Sequence, residues 1–134
     1  MLSKGRVLLV DDEPLVLEMF ESILSQEGYD VYVAPNAKEA LFHLDKTLFD
    51  VLVCDVKLED LDGFDIMSIA RKKYPSIGVV LITGAPSAPD AETAAEQNAA
   101  YLSKPIGFDL LISSVEQALT AHSMDVRPQK RAGL

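Results

Sequence analysis

Five short, nearly unbroken apolar runs recur along the chain, and they limit its fold more than any other feature. They cover residues 6–10, 31–34, 51–54, 78–82 and 100–102. Runs of this length and composition are typical of strands that helices cover on both faces of a parallel sheet. Segments with helical periodicity separate the runs, so the order of elements predicts a (βα)5 chain of the α/β class. The right-handed crossover rule then favours an open, doubly wound, five-stranded parallel sheet.

Local signals place the ends of the first two helices. Pro14 suits the first position of the first helix, Gly28 suits the residue at which that helix stops, and Asp12 is a candidate cap. Asn36 and Glu39 have the spacing of a capping box, which predicts the start of the second helix.

The remaining helices differ in the strength of their signals. The third is predicted from about Phe64 to Lys73, ahead of a proline. The fourth, near Asp90 to Gln97, offers only alanines to the core, so we expect it to be loosely held, with Asn98 as the left-handed residue that ends it. The last carries an apolar stripe at helical spacing, which consists of Phe108, Leu111, Ile112, Val115, Ala118 and Leu119.

The chain is large enough for one domain with its own core, since it has 134 residues of which 49% are hydrophobic. We assign residues 1–122 to this domain and residues 123–134, which lack periodicity, to a flexible C-terminal tail. The single cysteine, Cys54, excludes an internal disulfide and lies inside an apolar run, where a small buried hydrophobe is its ordinary role.

Charge and hydropathy limit the partners of the chain. A formal net charge of −9 argues against direct binding of nucleic acid, because phosphate backbones are bound by basic surfaces. The sequence has no charged-then-apolar leader and no apolar run of about 18 residues. We therefore expect a cytoplasmic protein that does not bind membranes.

Polar or charged residues stand at or just beyond the carboxyl ends of four of the predicted strands. Asp11 and Asp12 come after the first strand, Asp55 ends the third, and Thr83 and Lys104 follow the fourth and fifth. Ligands of doubly wound sheets bind beyond the carboxyl ends of the strands, so these residues are expected to face one crevice. Three carboxylates repel one another unless a cation lies between them. Mg²⁺ is the simplest such cation, because it takes oxygen ligands.

These residue types together suit phosphoryl transfer. A carboxylate can attack phosphorus and hold the group as an acyl phosphate, a metal neutralises oxygen charge, and a hydroxyl and an ammonium bind the remaining oxygens. Asp62-Gly63 is interpreted instead as a turn and a helix start. His43 and His122 have no metal-ligand spacing and are left out of the site.

The motifs that carry these residues resemble a known family. They are Val10-Asp11-Asp12-Glu13, Asp55 followed by Leu61-Asp62-Gly63, Thr83-Gly84, and Lys104-Pro105. In this order and spacing they resemble the receiver domain of bacterial two-component response regulators, over residues 5 to about 122. The resemblance implies a flavodoxin-like fold with strand order 2-1-3-4-5 and a cis peptide bond between Lys104 and Pro105.

The resemblance also implies the reaction and its metal. Asp55 would accept a phosphoryl group from a histidine kinase or a histidine phosphotransfer protein. Asp12, Asp55 and the backbone carbonyl of Lys57 would bind Mg²⁺, with Asp11 acting through a coordinated water.

A switch and an output surface are implied as well. Thr83 and Lys104 would contact the phosphoryl oxygens, and Tyr101 matches the aromatic residue that turns inward when the threonine moves toward the phosphate. The face built from the fourth helix, fifth strand and fifth helix would then change shape and signal to a downstream effector. Homodimerisation on phosphorylation is a further option.

Two residues depart from the common pattern of the family. Lys57 lies two positions after the phosphoacceptor, and Glu59 stands where the family often has proline. The long cation of Lys57 either shields the acyl phosphate from water or competes with Mg²⁺.

Other functions remain open beside the receiver domain. A Mg²⁺-dependent aspartyl-phosphate phosphatase shares the nucleophile and metal, but it would need a general acid near Asp55 and a substrate cap. A pseudo-receiver that binds partners without phosphorylation is disfavoured by the intact set of acids, hydroxyl and ammonium. A nucleotide-binding domain would need a glycine-rich loop after the first strand. A single-domain or phosphorelay regulator and a receiver from a longer regulator are both consistent with the sequence.

Overall fold

A computed structural model describes the backbone of residues 2–132 and the side chains of residues 2–122. The strands are β1 (Arg6–Val10), β2 (Asp30–Ala34), β3 (Val51–Asp55), β4 (Gly78–Thr83) and β5 (Ala100–Ser103). The helices are α1 (Pro14–Gln26), α2 (Ala37–Lys46), α3 (Gly63–Lys73), α4 (Ala88–Glu96) and α5 (Phe108–Ala132). Within this described part, no helix is both long and apolar enough to cross a bilayer.

The predicted tail, residues 123–134, falls outside the described side chains, so its flexibility stays a prediction. The backbone of α5 extends into this segment as far as Ala132.

The five strands form one parallel sheet in the order β2-β1-β3-β4-β5, which confirms the predicted topology. The register aligns the carboxyl ends of the central strands. Val10 pairs with Cys54, and Asp55 pairs with Ile82, so Thr83 lies one residue beyond the level of Asp55. The polar residues that follow these strands are therefore carried to one edge of the sheet.

Each face of the sheet has its own hydrophobic cluster, because successive side chains of a strand point to opposite faces. One cluster joins the strands to α2, α3 and α4 through residues such as Leu44, Ile66 and Ala94. The other joins them to α1 and α5 through residues such as Leu24 and Leu111. Burial on both faces explains the unbroken apolar runs of β1, β3 and β4, whereas the edge strands β2 and β5 are mostly half-buried.

Cys54 lies fully buried in the first of these clusters. Burial raises the pKa of its thiol well above the usual value. The interpretation as a small buried hydrophobe is confirmed.

Most of the predicted helix ends are confirmed. The Asn36 side chain accepts a hydrogen bond from the backbone N–H of Glu39 at 2.8 Å, as a capping box requires. Asp62 caps α3 by accepting from the backbone N–H groups of Phe64 and Asp65. Asn98 has the expected left-handed backbone, with φ of 55°.

Two details of the helices differ from the predictions. Asp12 does not cap α1, because the capping position is Glu13, which makes no side-chain cap hydrogen bond. Instead Asp11 Oδ1 accepts from the backbone N–H of Glu13 at 2.9 Å. Helix α4 begins at Ala88 after a Ser87 cap, slightly earlier than expected.

Candidate functional site

Four carboxylates meet at the carboxyl edge of the sheet. Carboxylate oxygens of Asp11, Asp12, Glu13 and Asp55 all lie within 4.8 Å of one another. Asp11 and Asp55 are buried, whereas Asp12 and Glu13 are exposed. A set that consists only of oxygen ligands, with two of them open to solvent, fits a hard divalent cation that keeps part of its water shell.

Lys104 lies inside this cluster. Its Nζ is 3.0 Å from Asp11 Oδ2, 3.0 Å from Asp55 Oδ2 and 2.9 Å from Glu13 Oε1. Burial alone would lower the pKa of this ammonium, but hydrogen bonds to Glu13, Asp55 and Asp11 raise it above the usual lysine value. Lys104 is therefore a permanent cation, and the predicted cis bond to Pro105 is present.

The buried Asp11 is subject to opposing influences. Its side chain is 2% exposed, and this burial raises its pKa above the usual aspartate value. Hydrogen bonds from the backbone of Glu13 and from Lys104 act in the opposite direction. A buried carboxylate of this kind gains from a cation nearby.

Both oxygens of Asp55 are held in place. Oδ2 accepts from Lys104 Nζ at 3.0 Å, and Oδ1 accepts from the backbone N–H of Lys57 at 3.1 Å. The side chain is 6% exposed and lies at the end of β3, so it is oriented by the sheet and by its two donors. Fixed orientation of this kind lowers the cost of bringing a reacting group into line.

Thr83 and Tyr101 both hold the loop that leads into α4. The buried Thr83 Oγ1 accepts from the backbone N–H of Ala85 at 3.0 Å. The hydroxyl of Tyr101 accepts from the backbone N–H of Ser87 at 3.1 Å, and its half-buried ring packs against the cluster of α2, α3 and α4. The two hydroxyls thus hold the start of the loop and the cap of α4.

The loop between β3 and α3, residues 56–62, folds back on itself beside Asp55. The backbone of Lys57 pairs with that of Asp62, and the N–H of Gly63 donates to the carbonyl of Val56 at 2.7 Å. A Cβ on Gly63 would lie 2.6 Å from the carbonyl oxygen of Asp55, so only glycine allows this approach. The side chains of Lys57 and Glu59 are exposed.

The structure thus brings Asp11, Asp12, Asp55 and Lys104 together, and the register carries Thr83 to the same edge. Sequence reasoning had not included Glu13 in the site. The signal was present, because Glu13 is the third acid in a row after β1.

The two histidines lie elsewhere, as expected. His43 Nε2 contacts the carbonyl of Val33 at 3.0 Å. His122 contacts the carbonyl of Ser76 at 2.8 Å and Asp50 Oδ1 at 3.1 Å.

Comparison with known proteins identifies the architecture. The family model described as the response regulator receiver domain matches residues 7–116 of the chain. The chain belongs to this family. The structure of a CheY-like receiver domain protein from Methanospirillum hungatei JF-1 is similar, with a TM-score of 0.84 and 28% identity. That match covers 93% of this chain and 99% of the other. The predicted family and the flavodoxin-like receiver fold are confirmed.

Two further relatives extend the comparison. The transcriptional regulatory protein GlrR of Escherichia coli (strain K12) is 32% identical over 116 residues, which cover 86% of this chain and 26% of GlrR. The beryllofluoride-activated NtrC4 receiver domain dimer has a TM-score of 0.82 and 30% identity, and the match covers 87% of this chain and 98% of that one. This receiver domain thus spans about a quarter of the length of GlrR.

Proposed function

We propose that this receiver domain accepts a phosphoryl group on Asp55 from a phosphohistidine of a kinase or a phosphotransfer protein. The observation that carries the proposal is the placement of Asp55 Oδ2 at 3.0 Å from Lys104 Nζ, inside a cluster of four carboxylates. An oxygen of Asp55 forms a bond to phosphorus while the bond from phosphorus to the imidazole nitrogen breaks. The imidazole keeps the electron pair and takes up a proton. Chemistry of the domain itself is limited to this transfer and to later hydrolysis of the acyl phosphate.

Asp12, Asp55 and the carbonyl of Lys57 would hold Mg²⁺ directly, and Asp11 would hold it through a water. The all-oxygen donor set of the acidic cluster supports this assignment. When bound, Mg²⁺ supplies positive charge that offsets the negative charge of the phosphoryl oxygens.

Lys104 and Thr83 are proposed to bind the phosphoryl oxygens. Lys104 is a permanent cation in contact with Asp55, so its charge is already in place before the transfer. Thr83 Oγ1 accepts a hydrogen bond from Ala85, which leaves its own O–H free to donate to a phosphoryl oxygen.

The proposed switch acts through Tyr101. A shift of Thr83 toward the phosphate would disturb the loop that Thr83 and Tyr101 hold jointly through Ala85 and Ser87. The face of α4, β5 and α5 would then change shape and engage a downstream effector. Homodimerisation on phosphorylation is supported by the NtrC4 receiver, which was solved as an activated dimer.

The test is intact mass spectrometry after treatment with acetyl phosphate and Mg²⁺. We expect the native chain to gain one phosphoryl mass, and Asp55→Asn or a sample with EDTA to gain none. A native chain that gains nothing would contradict the proposal and would favour a pseudo-receiver. Turnover of small phosphate esters would favour the phosphatase instead.

The same experiment addresses Lys57. Decay of the phosphorylated mass can be followed for the native chain and for Lys57→Asn, and equal rates would dismiss an effect of Lys57 on the phosphoryl lifetime.

A further inference from the structure

Asp60 makes contacts that its place in the sequence does not explain. It lies in the loop of residues 56–62, and its side chain reaches the start of α2. Oδ1 accepts from the backbone N–H of Ala37 at 3.2 Å, and Oδ2 accepts from that of Lys38 at 3.2 Å. Oδ1 also accepts from the backbone N–H of Leu61 at 3.1 Å.

Two capping side chains therefore accept hydrogen bonds from the first three backbone N–H groups of α2. Asn36, which precedes the helix, takes the N–H of Glu39, and Asp60 takes those of Ala37 and Lys38. The first N–H groups of a helix have no partner within the helix, and the positive end of its dipole favours a carboxylate. Asp60 thus connects the loop of residues 56–62 to α2 by directional, charge-assisted hydrogen bonds.

The carboxyl group of Asp60 is ionised at neutral pH. Partial desolvation alone would raise the pKa of this carboxyl, but the backbone N–H donors of Ala37, Lys38 and the loop lower it below the usual aspartate value.

The rest of the loop is held mainly near its two ends. Lys57 donates to Asp55 Oδ1 and pairs with Asp62, and Gly63 closes on Val56. Between them, the half-buried Leu58 and Leu61 make apolar contacts with the core cluster. Apolar contacts are not directional, so they do not by themselves fix the backbone in the middle of the loop. The carbonyl of Lys57 belongs to the peptide unit that leads from the held end of the loop into this middle part.

We propose that Asp60 is a positioning residue of the phosphorylation site, which fixes the loop so that the carbonyl of Lys57 faces the metal position. This inference rests on the proposed function, because the carbonyl of Lys57 is part of the proposed Mg²⁺ site. Asp60 itself does not touch the reacting atoms.

The experiment compares Asp60→Ala with Asn36→Ala in the full chain. Both substitutions remove a cap from the same end of α2, but only Asp60 belongs to the loop of residues 56–62. Isothermal titration gives the Mg²⁺ dissociation constant of each unphosphorylated protein. We expect Asp60→Ala to weaken Mg²⁺ binding about fivefold to tenfold, at or below the low end for loss of a residue bonded directly to a metal ligand, because Asp60 acts through the backbone of the loop. Asn36→Ala should stay within about twofold of native.

Phosphorylation rates add a second readout. With acetyl phosphate as donor, Asp60→Ala should need more Mg²⁺ for half-maximal rate yet reach nearly the native rate at saturating Mg²⁺. Asp60→Asn keeps one acceptor oxygen and should fall between native and Asp60→Ala in Mg²⁺ affinity. It also serves as the test variant if Asp60→Ala does not fold.

Hydrogen exchange in the metal-free protein provides a readout independent of Mg²⁺ and of the donor. Amides of residues 57–61 should exchange faster in Asp60→Ala than in Asn36→Ala. Equal Mg²⁺ affinities and equal loop exchange in the two variants would overturn the inference while leaving the proposed function intact. A native chain that binds Mg²⁺ in an Asp60-dependent way but gains no phosphoryl mass would overturn the proposed function and support the positioning role.

Discussion

At the scale of single residues, the main feature of the site is the pairing of buried negative charges with one positive charge. Asp11 and Asp55 are almost fully buried, and the side chain of Lys104, which bridges them, is 17% exposed. Buried charges are tolerated when they are paired and hydrogen-bonded, and removal of one partner leaves the others uncompensated. Lys104 therefore stabilises the folded state, in addition to its role in the proposed phosphoryl transfer.

Lys104→Met tests this balance. In buffer with EDTA we expect the free energy of unfolding to fall by about 3 kcal/mol, because two buried carboxylates lose their cation, while the partial exposure of Lys104 keeps the loss at the low end for a buried ion pair. Addition of Mg²⁺ should recover part of the loss. Urea unfolding followed by circular dichroism gives both values.

The matched control is Lys73→Met. Lys73 Nζ also lies 3.0 Å from a carboxylate, that of Asp45, but this pair is on the surface. Surface ion pairs contribute little, so a much smaller change is expected. Equal losses in the two variants would show that burial of the Lys104 cluster adds nothing.

At the scale of elements, α4 differs from its neighbours. Ala94 is its one buried residue, whereas α3 buries Gly63, Ile66, Met67 and Ala70. Polar contacts hold α4 at both ends: Tyr101 binds the N–H of Ser87, and Arg71 donates to the carbonyls of Gln97 and Asn98. An element held in this way can move at a lower cost than one held by a large apolar interface.

Arg71→Ala should loosen the carboxyl end of α4. The guanidinium of Arg71 on α3 joins the turn at Gln97 and Asn98, so its loss removes a link between two helices. We expect amides of residues 94–99 to exchange about tenfold faster, which corresponds to about 1.4 kcal/mol in local opening. Hydrogen exchange followed by NMR provides the measurement.

Lys72→Ala, the exposed neighbour of Arg71 on α3, is the control and should leave exchange in α4 unchanged. Unchanged exchange in Arg71→Ala would mean that the contacts of Ala94 and Tyr101 hold α4 without Arg71.

At the scale of the whole molecule, the fold is an open sheet that helices cover on both faces. The two hydrophobic clusters draw on residues from Val7 to Leu119. The family match covers nearly the same span, residues 7–116. Both observations support the proposed domain of residues 1–122.

A chain that ends after His122 should therefore fold as the longer one does. We expect a single cooperative transition and a change in Tm of less than about 4 °C, equivalent to less than about 1 kcal/mol. Differential scanning calorimetry of both chains provides the comparison. A broad transition or a much lower Tm would show that residues 123–134 belong to the folded unit.

Much of the fold followed from patterns that are local in the sequence. Apolar runs predicted the strands, and Asn36, Asp62 and Asn98 predicted helix ends, because the caps made by Asn36 and Asp62 and the left-handed backbone of Asn98 involve neighbouring residues only. The prediction for Asp12 was wrong for a reason that is also local: Pro14 takes the first helical position, so Glu13 occupies the capping position.

The sequence by itself determined which residue types stand at the end of each strand, since burial on both faces requires apolar runs that stop where the chain leaves the sheet. Only the tertiary structure decided their distances: that Lys104 Nζ contacts Asp11, Glu13 and Asp55, and that Asp60 caps α2 from another loop. These contacts join residues far apart in the chain. They depend on strand order, register and the path of the loops, which emerge only when the whole sheet has formed.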